Sequence, residues 1–280
     1  MKESALQPVP VITMKNGITI PQLGLGTWPM LGDEATTAVR NAIDMGYRLI
    51  DTAENYENEA AVGKGVRESS VPREQIFVTT KFNRRWHSRT GVREACEGNL
   101  ARLGLDYIDL LLIHWPNPDQ DRYVEAFAAM EDLVRAGLVR SIGVSNFKPT
   151  HLQKLFDAGL FPQLNQIQLD PWRRREDSVA CHKQNGILTE TWSPLDRDGG
   201  MLKDPVIHAI ASETGRTPVQ VVLRWHVQSG YVTVPKSANP QRQRENLDIF
   251  GFSLSADQMQ RLNALGRNDV EILDSDVFGH

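Results

Sequence analysis

Short apolar runs, each followed by a longer amphipathic segment, recur eight times along this chain, and that alternation leaves few folds open. The runs read as strands at 23–26, 48–51, 76–81, 108–114, 141–145, 164–168, 187–192 and 232–235. Helices fill the gaps at 33–45, opened by Asp33 as its cap, and at 59–67, 90–103, 123–136, 150–158 and 179–184. Segments 206–212 and 219–228 form the seventh crossover, and 241–246 the eighth. Residues 11–20, with Asn16-Gly17 at their centre, read as a hairpin ahead of the first unit. Ser255-Ala256-Asp257-Gln258 is the capping box of a further helix, and 267–280, without periodicity, reads as a loop tail.

No linker, repeat or low-complexity stretch divides the 280 residues. The expectation is a single α/β domain over 1–280: a parallel (β/α)8 TIM barrel with an N-terminal hairpin, an extra C-terminal helix and a loop tail. The competing architecture is an open doubly wound sheet, which wants Gly-x-Gly-x-x-Gly after its first strand. Gly24-Leu25-Gly26-Thr27-Trp28-Pro29 has two of those glycines and Pro29 in place of the third. A dinucleotide here needs another device.

Composition removes several functions. A net charge of -4 gives no strong basic surface, which argues against nucleic acid as a partner. Cys96 and Cys181 are far apart and lack metal-ligand spacing, so they read as free thiols in a reducing compartment, with no metal site. No apolar run reaches the ~18 residues of a membrane helix. The stretch from Met1 to Gln7 lacks a signal-peptide pattern, and the default location is the cytoplasm.

Chemistry collects at one end of the expected strands. Asp51 ends the second, Lys81 the third, His114 the fourth and Ser145-Asn146 the fifth. Gln166 lies on the sixth, Trp192-Ser193 close the seventh, and Lys236-Ser237 follow the eighth. In a barrel these ends converge on the face that carries the active site. The sharpest motif runs from Gly46 through Asp51 to Tyr56. Alone it reads as well as a strand whose final Asp caps a helix, with Tyr56 as a half-buried aromatic. Beside Lys81 and His114 it becomes a proton-donating site. A tyrosine hydroxyl is a poor acid at neutral pH, and a nearby ammonium lowers its pKa. A carboxylate keeps that ammonium charged, and a neutral imidazole hydrogen-bonds a carbonyl whose oxygen gains charge.

These residues carry a resemblance. The chain resembles the aldo-keto reductases over nearly its whole length. The matching motifs are the Asp51-to-Tyr56 segment, Thr79-Thr80-Lys81, Leu111-Leu112-Ile113-His114-Trp115-Pro116, Ile142-Gly143-Val144-Ser145-Asn146-Phe147 and the stretch from Val234-Pro235-Lys236-Ser237 through Asn246. Within that family it is most similar to the bacterial 2,5-diketo-gluconic acid reductases, notably in Arg224-Trp225-His226-Val227-Gln228 and Gly251-Phe252. The resemblance implies a monomeric barrel that binds NADPH without a Rossmann fold and reduces aldehydes or ketones reversibly. It makes Tyr56 the general acid, tuned by Lys81 and Asp51, with His114 orienting the carbonyl. It also assigns Ser145, Asn146 and Gln166 to the nicotinamide carboxamide, Trp192 to stacking on the ring, and Ser193 and Leu195 to the pyrophosphate. Lys236, Ser237 and Arg242 fall to the 2′-phosphate, and Glu245 and Asn246 to adenine. Capping, satisfied core polarity or a solvated helix face would explain several of these singly.

Gln168 and Asp170 stand where the family usually has glutamate and histidine, which puts pocket contacts near the sixth strand in doubt. Arg173-Arg174-Arg175 reads as a solvated basic turn, with attraction of acidic substrates as the alternative. Trp28, Trp86, Trp115 and the tail around Val277 and Phe278 are the pocket walls by position, although each tryptophan could pack structurally instead. Keto-sugar acids, small dicarbonyls and aromatic aldehydes remain open as substrates. Two rivals are a paired-carboxylate hydrolase or isomerase, needing Glu190 opposite Asp51, and a non-catalytic NADPH-binding subunit.

Overall fold

The computed structural model describes residues 6–280, so most of the segment read for a leader lies outside the described residues. Strands β1 (Val11–Thr13) and β2 (Thr19–Pro21) pair antiparallel with Ile12 opposite Ile20. Their turn places Gly17 at a φ of 85°, which glycine adopts without steric cost. Met14 and Ile20 of this hairpin pack against Leu49, Phe77, Leu110, Leu164 and Val232, at or near the amino ends of barrel strands. The hairpin thus plugs the end opposite the polar array.

The barrel strands are β3 (Leu25–Gly26), β4 (Leu49–Asp51), β5 (Phe77–Phe82), β6 (Ile108–Ile113), β7 (Val139–Ser145), β8 (Leu164–Gln168), β9 (Leu188–Trp192) and β10 (Val232–Thr233). Neighbours in sequence are parallel neighbours in space from β3 to β10. Bridges Leu23–Thr233 and Gly26–Lys236 join the first strand to the last and close the ring. The expected (β/α)8 barrel is therefore present. β5 and β6 are buried at every position, as a parallel strand covered on both faces requires.

Among the described residues ten α-helices surround it: α1 (Gly32–Met45), α2 (Glu59–Arg67), α3 (Arg89–Leu103), α4 (Tyr123–Arg135), α5 (Pro149–Asp157), α6 (Glu176–Asn185), α7 (Pro205–Thr214), α8 (Pro218–Gln228), α9 (Pro240–Leu247) and α10 (Ala256–Asn263). The seventh crossover holds two of them, α7 and α8. Asp33 is not the cap of α1; Leu31 holds that position without a side-chain bond, and Asp33 lies in the first turn. An N-cap contributes about 1 kcal/mol, whereas burying one aliphatic side chain contributes roughly 2 kcal/mol. With Val39 and Ile43 fully buried, packing holds α1 without a cap. The Ser255 box is formed in both directions, and Thr217-x-x-Gln220 forms a second one at α8.

Candidate active site

The carboxyl ends of the strands open on a cavity of about 1090 Å³. Asp51 is the last residue of β4, and a 3-10 turn at Glu54–Tyr56 carries Tyr56 beside it. Lys81 stands near the end of β5, and His114 directly follows β6. Lys81 Nζ donates to both Asp51 carboxylate oxygens at 2.8 Å, to the Thr52 carbonyl at 2.9 Å and to the Tyr56 hydroxyl at 3.4 Å. The His114 ring meets Tyr56 edge-on, with centroids 5.8 Å apart. Four residues from three strand ends thus meet, with the Tyr56 phenol at the centre of the group.

Their electrostatics follow from burial. Lys81 is fully buried. Burial disfavours its charge, but Asp51, Tyr56 and Glu190 together raise its pKa above the ordinary lysine value. Burial, followed by the charges of Lys81 and His280, pushes His114 well below 6.5, so its imidazole is neutral. Tyr56 differs from the sequence expectation of a lowered value. Burial raises it above 10 and outweighs the opposing pull of Lys81. The phenol therefore holds its proton at neutral pH, and Lys81 is positioned to stabilise the phenolate left after proton transfer.

A second hydrogen-bonded set adjoins the first. Gln166 Nε2 donates to Asp51 Oδ2 at 2.8 Å, and the Ser145 hydroxyl donates to the Gln166 carbonyl at 3.0 Å. Asn146, in the left-handed region at φ 65°, donates through Nδ2 to the His114 carbonyl and to Ser145 Oγ. Its Oδ1 accepts from Trp192 Nε1 at 2.8 Å. Trp192, Ser193, Leu195 and Lys236 continue the cavity wall. Ser237, Arg242, Glu245 and Asn246 do not line it. Ser237 precedes α9, Arg242 lies in its first turn, and Glu245 accepts a bond from the Thr217 hydroxyl.

The three tryptophans separate. Trp28 lines the cavity half-exposed beneath the Arg197 guanidinium, 4.6 Å from its ring centre. Trp115 also lines it, against Phe278 at 4.7 Å. Trp86 does not: its indole donates to the Glu54 carboxylate at 3.0 Å, and Arg85 takes the wall instead. In the tail Val277 points to solvent, while Leu273, Phe278 and His280 line the cavity. His280 reaches within 4.9 Å of the His114 ring centre. Sequence reasoning missed His280, Leu273 and Arg197, because aperiodic loops carry no signal of what they touch.

Of the two departures from the family pattern, Asp170 has structural work to do. Asp170 is fully buried and accepts from the Trp172 and Arg173 backbone and from the Arg173 guanidinium. That guanidinium also binds Asp196, and Arg173 Nε donates to the Glu271 carbonyl. Arg173 therefore ties β8, the loop after β9 and the tail together, and it is not the solvated residue expected. Arg174 stacks on Trp225. Glu190 is fully buried inside the barrel but does not line the cavity, so it does not pair with Asp51 across that space.

The aldo/keto reductase family matches residues 22–267. The chain is 48% identical over 260 residues to 2,5-diketo-D-gluconic acid reductase B of Corynebacterium sp. (strain SHS752001), covering 92% of this chain and 94% of that one. It is 44% identical over 271 residues to methylglyoxal reductase DkgA of Escherichia coli (strain K12), covering 96% and 98%. A mutant of Gox0644 crystallised with NADPH superposes with a TM-score of 0.92 at 41% identity, covering 96% of this chain and 98% of that one. The barrel, its polar rim and these matches agree: the chain belongs to the aldo/keto reductase family.

Proposed function

We propose that this protein is an NADPH-dependent carbonyl reductase with Tyr56 as its proton donor. The observation that carries the reading is the Tyr56 hydroxyl, protonated by burial and 3.4 Å from an ammonium locked onto Asp51. The donor set suits the cofactor. Ser145, Asn146 and Gln166 offer amide and hydroxyl groups to a carboxamide, and Trp192 offers an aromatic face. Lys236, Ser237 and Arg242, at the start of α9, offer cations and a hydroxyl to the 2′-phosphate that distinguishes NADPH from NADH. Ser193 and Leu195 are assigned to the pyrophosphate, and Glu245 and Asn246 to adenine. When bound, NADPH supplies hydride to the carbonyl carbon. The substrate oxygen lies between Tyr56 and neutral His114, which directs it by hydrogen bonding. Tyr56 gives that oxygen its proton, and Lys81 stabilises the phenolate that remains.

Both relatives are named for dicarbonyl substrates. Small dicarbonyls, keto-sugar acids among them, are accordingly the proposed substrates, held by Trp28, Trp115 and Phe278. We read the chain as one domain and the protein as a cytoplasmic monomer. Two free thiols suit a reducing compartment, and light scattering after gel filtration tests the monomer. No helix among the described residues is long and apolar enough to cross a membrane. The functional test is loss of NADPH absorbance against a panel of carbonyls, with NADH in parallel. Consumption with dicarbonyls and preference for NADPH are expected; no consumption with any carbonyl overturns the reading and favours a non-catalytic NADPH-binding role.

A further inference from the structure

One fully buried carboxyl group has no part in the chemistry described so far. Glu190 sits on β9, in register with Gln166 of β8 on one side and Val232 of β10 on the other. It has no solvent exposure, and neither of its carboxyl oxygens has a hydrogen-bond partner. Its strand neighbour Gln166 donates to Asp51, which in turn holds Lys81. The groups acting on Glu190 are thus Asp51 from β4, Lys81 from β5 and Gln166 from β8, while β10 presents Val232.

An ionised carboxylate without a hydrogen bond in such a place is costly. Burial, with Asp51 adding to it, pushes Glu190 up to about 8 against the weaker pull of Lys81 and Gln166. The charge balance under Tyr56 depends on this group. With Glu190 neutral, one ammonium faces one carboxylate, and Lys81 still attracts a phenolate. With Glu190 ionised, two carboxylates face one ammonium, and negative charge developing on Tyr56 is opposed.

We infer that Glu190 is a positioning residue of the proposed reductase site, carried as a neutral carboxylic acid beneath the Lys81–Asp51 pair so that Lys81 stays available to Tyr56. It acts through Lys81 and Asp51 and touches no substrate. This rests on the reductase reading, and the experiment distinguishes its failure from the failure of that reading.

The experiment is a pH profile of the hydride-transfer rate in single turnovers with NADPH and methylglyoxal, comparing the native enzyme with Glu190→Gln, each scaled to its own maximum. The native rate falls by several-fold as pH rises through about 8. Glu190→Gln loses that limb and declines only where Tyr56 itself titrates, above 10. Glu190→Met, which needs no hydrogen bonds, serves the same comparison if the amide does not fold. A limb unchanged in these variants, or absent from the native enzyme, overturns the inference. Infrared difference spectra of the native protein across the same pH range read the acid directly. A carboxylic-acid carbonyl band that disappears on alkalinisation, and is missing from the variant, is expected; absence of such a band contradicts a neutral Glu190. If the native enzyme turns over nothing, the reductase reading fails, and the positioning role fails with it. The infrared arm still decides the protonation state.

Discussion

The two walls of the cavity are built by different means. One wall consists of strand ends, where Lys81 and Asp51 are 0% and 5% exposed in their side chains and bonded at 2.8 Å. The other is the tail, which, beyond the Arg173 bond to the Glu271 carbonyl, Lys148 holds through ion pairs to Asp274 and Asp276, whose side chains are 54% and 51% exposed. A buried pair is dear to break, since its surviving partner is left charged in a dry place. Exposed pairs contribute between about 0 and 1 kcal/mol and are screened by salt. The lesson is a division of labour. The strand wall fixes chemistry within tight geometry, and the tail wall can be rebuilt at low cost to suit a substrate.

Removing Lys81 strikes the strand wall hardest. Lys81→Met is expected to cut the single-turnover rate by about 10³-fold and to lower stability by about 3 kcal/mol, measured by stopped flow and urea unfolding. A loss of rate without a loss of stability would show that the pair is not held as tightly as its geometry implies.

Acid probes the same scaffold. Burial depresses His226 to about 3 and His182 to about 4. Both folded values lie below the ~6.5 of an unfolded histidine, so the unfolded chain takes up protons first as pH falls. Stability is whole above about 6.5 and is lost on the way down to the folded values, at up to about 1.4 kcal/mol per pH unit for each imidazole. Urea midpoints at pH 7 and pH 5 should differ accordingly, and His226→Gln should flatten the slope. A slope left unchanged in His226→Gln would mean that this ring is not held neutral by the fold.

The proposed phosphate end lies at the start of α9, and Arg242 there stands outside the cavity lining. Arg242→Ala is expected to raise the KM for NADPH about tenfold, equivalent to about 1.4 kcal/mol, and to leave the KM for NADH within twofold. Equal losses for both cofactors would remove Arg242 from the 2′-phosphate. The smallest effect belongs to the tail. Lys148→Ala should raise the KM for a dicarbonyl about two- to fivefold, more at low salt than at high, with unfolding shifted by less than about 1 kcal/mol. A collapse in stability would show the tail to be part of the scaffold.

The same division explains what the sequence could reveal. All eight barrel strands were legible because continuous apolar runs between turn residues mark strands covered on both faces, and Asp51, Lys81 and His114 could be placed at one rim from that pattern alone. Caps were legible where side chains do the capping, as at Ser255, and misleading at Asp33, where packing holds the helix instead. The basic run at 173–175 looked solvated because its partners Asp196 and Glu271 are far away in sequence. The approach of Phe278 and His280 to Trp115 and His114 follows only from tertiary packing, which no local periodicity encodes.

The most direct test of the account replaces the proton donor alone. Tyr56→Phe, followed by stopped-flow loss of NADPH absorbance in single turnovers with methylglyoxal, should slow hydride transfer by about 10²- to 10⁴-fold. NADPH affinity by fluorescence titration should stay within a few-fold. Hydride transfer at an undiminished rate in that variant would contradict the assignment of Tyr56.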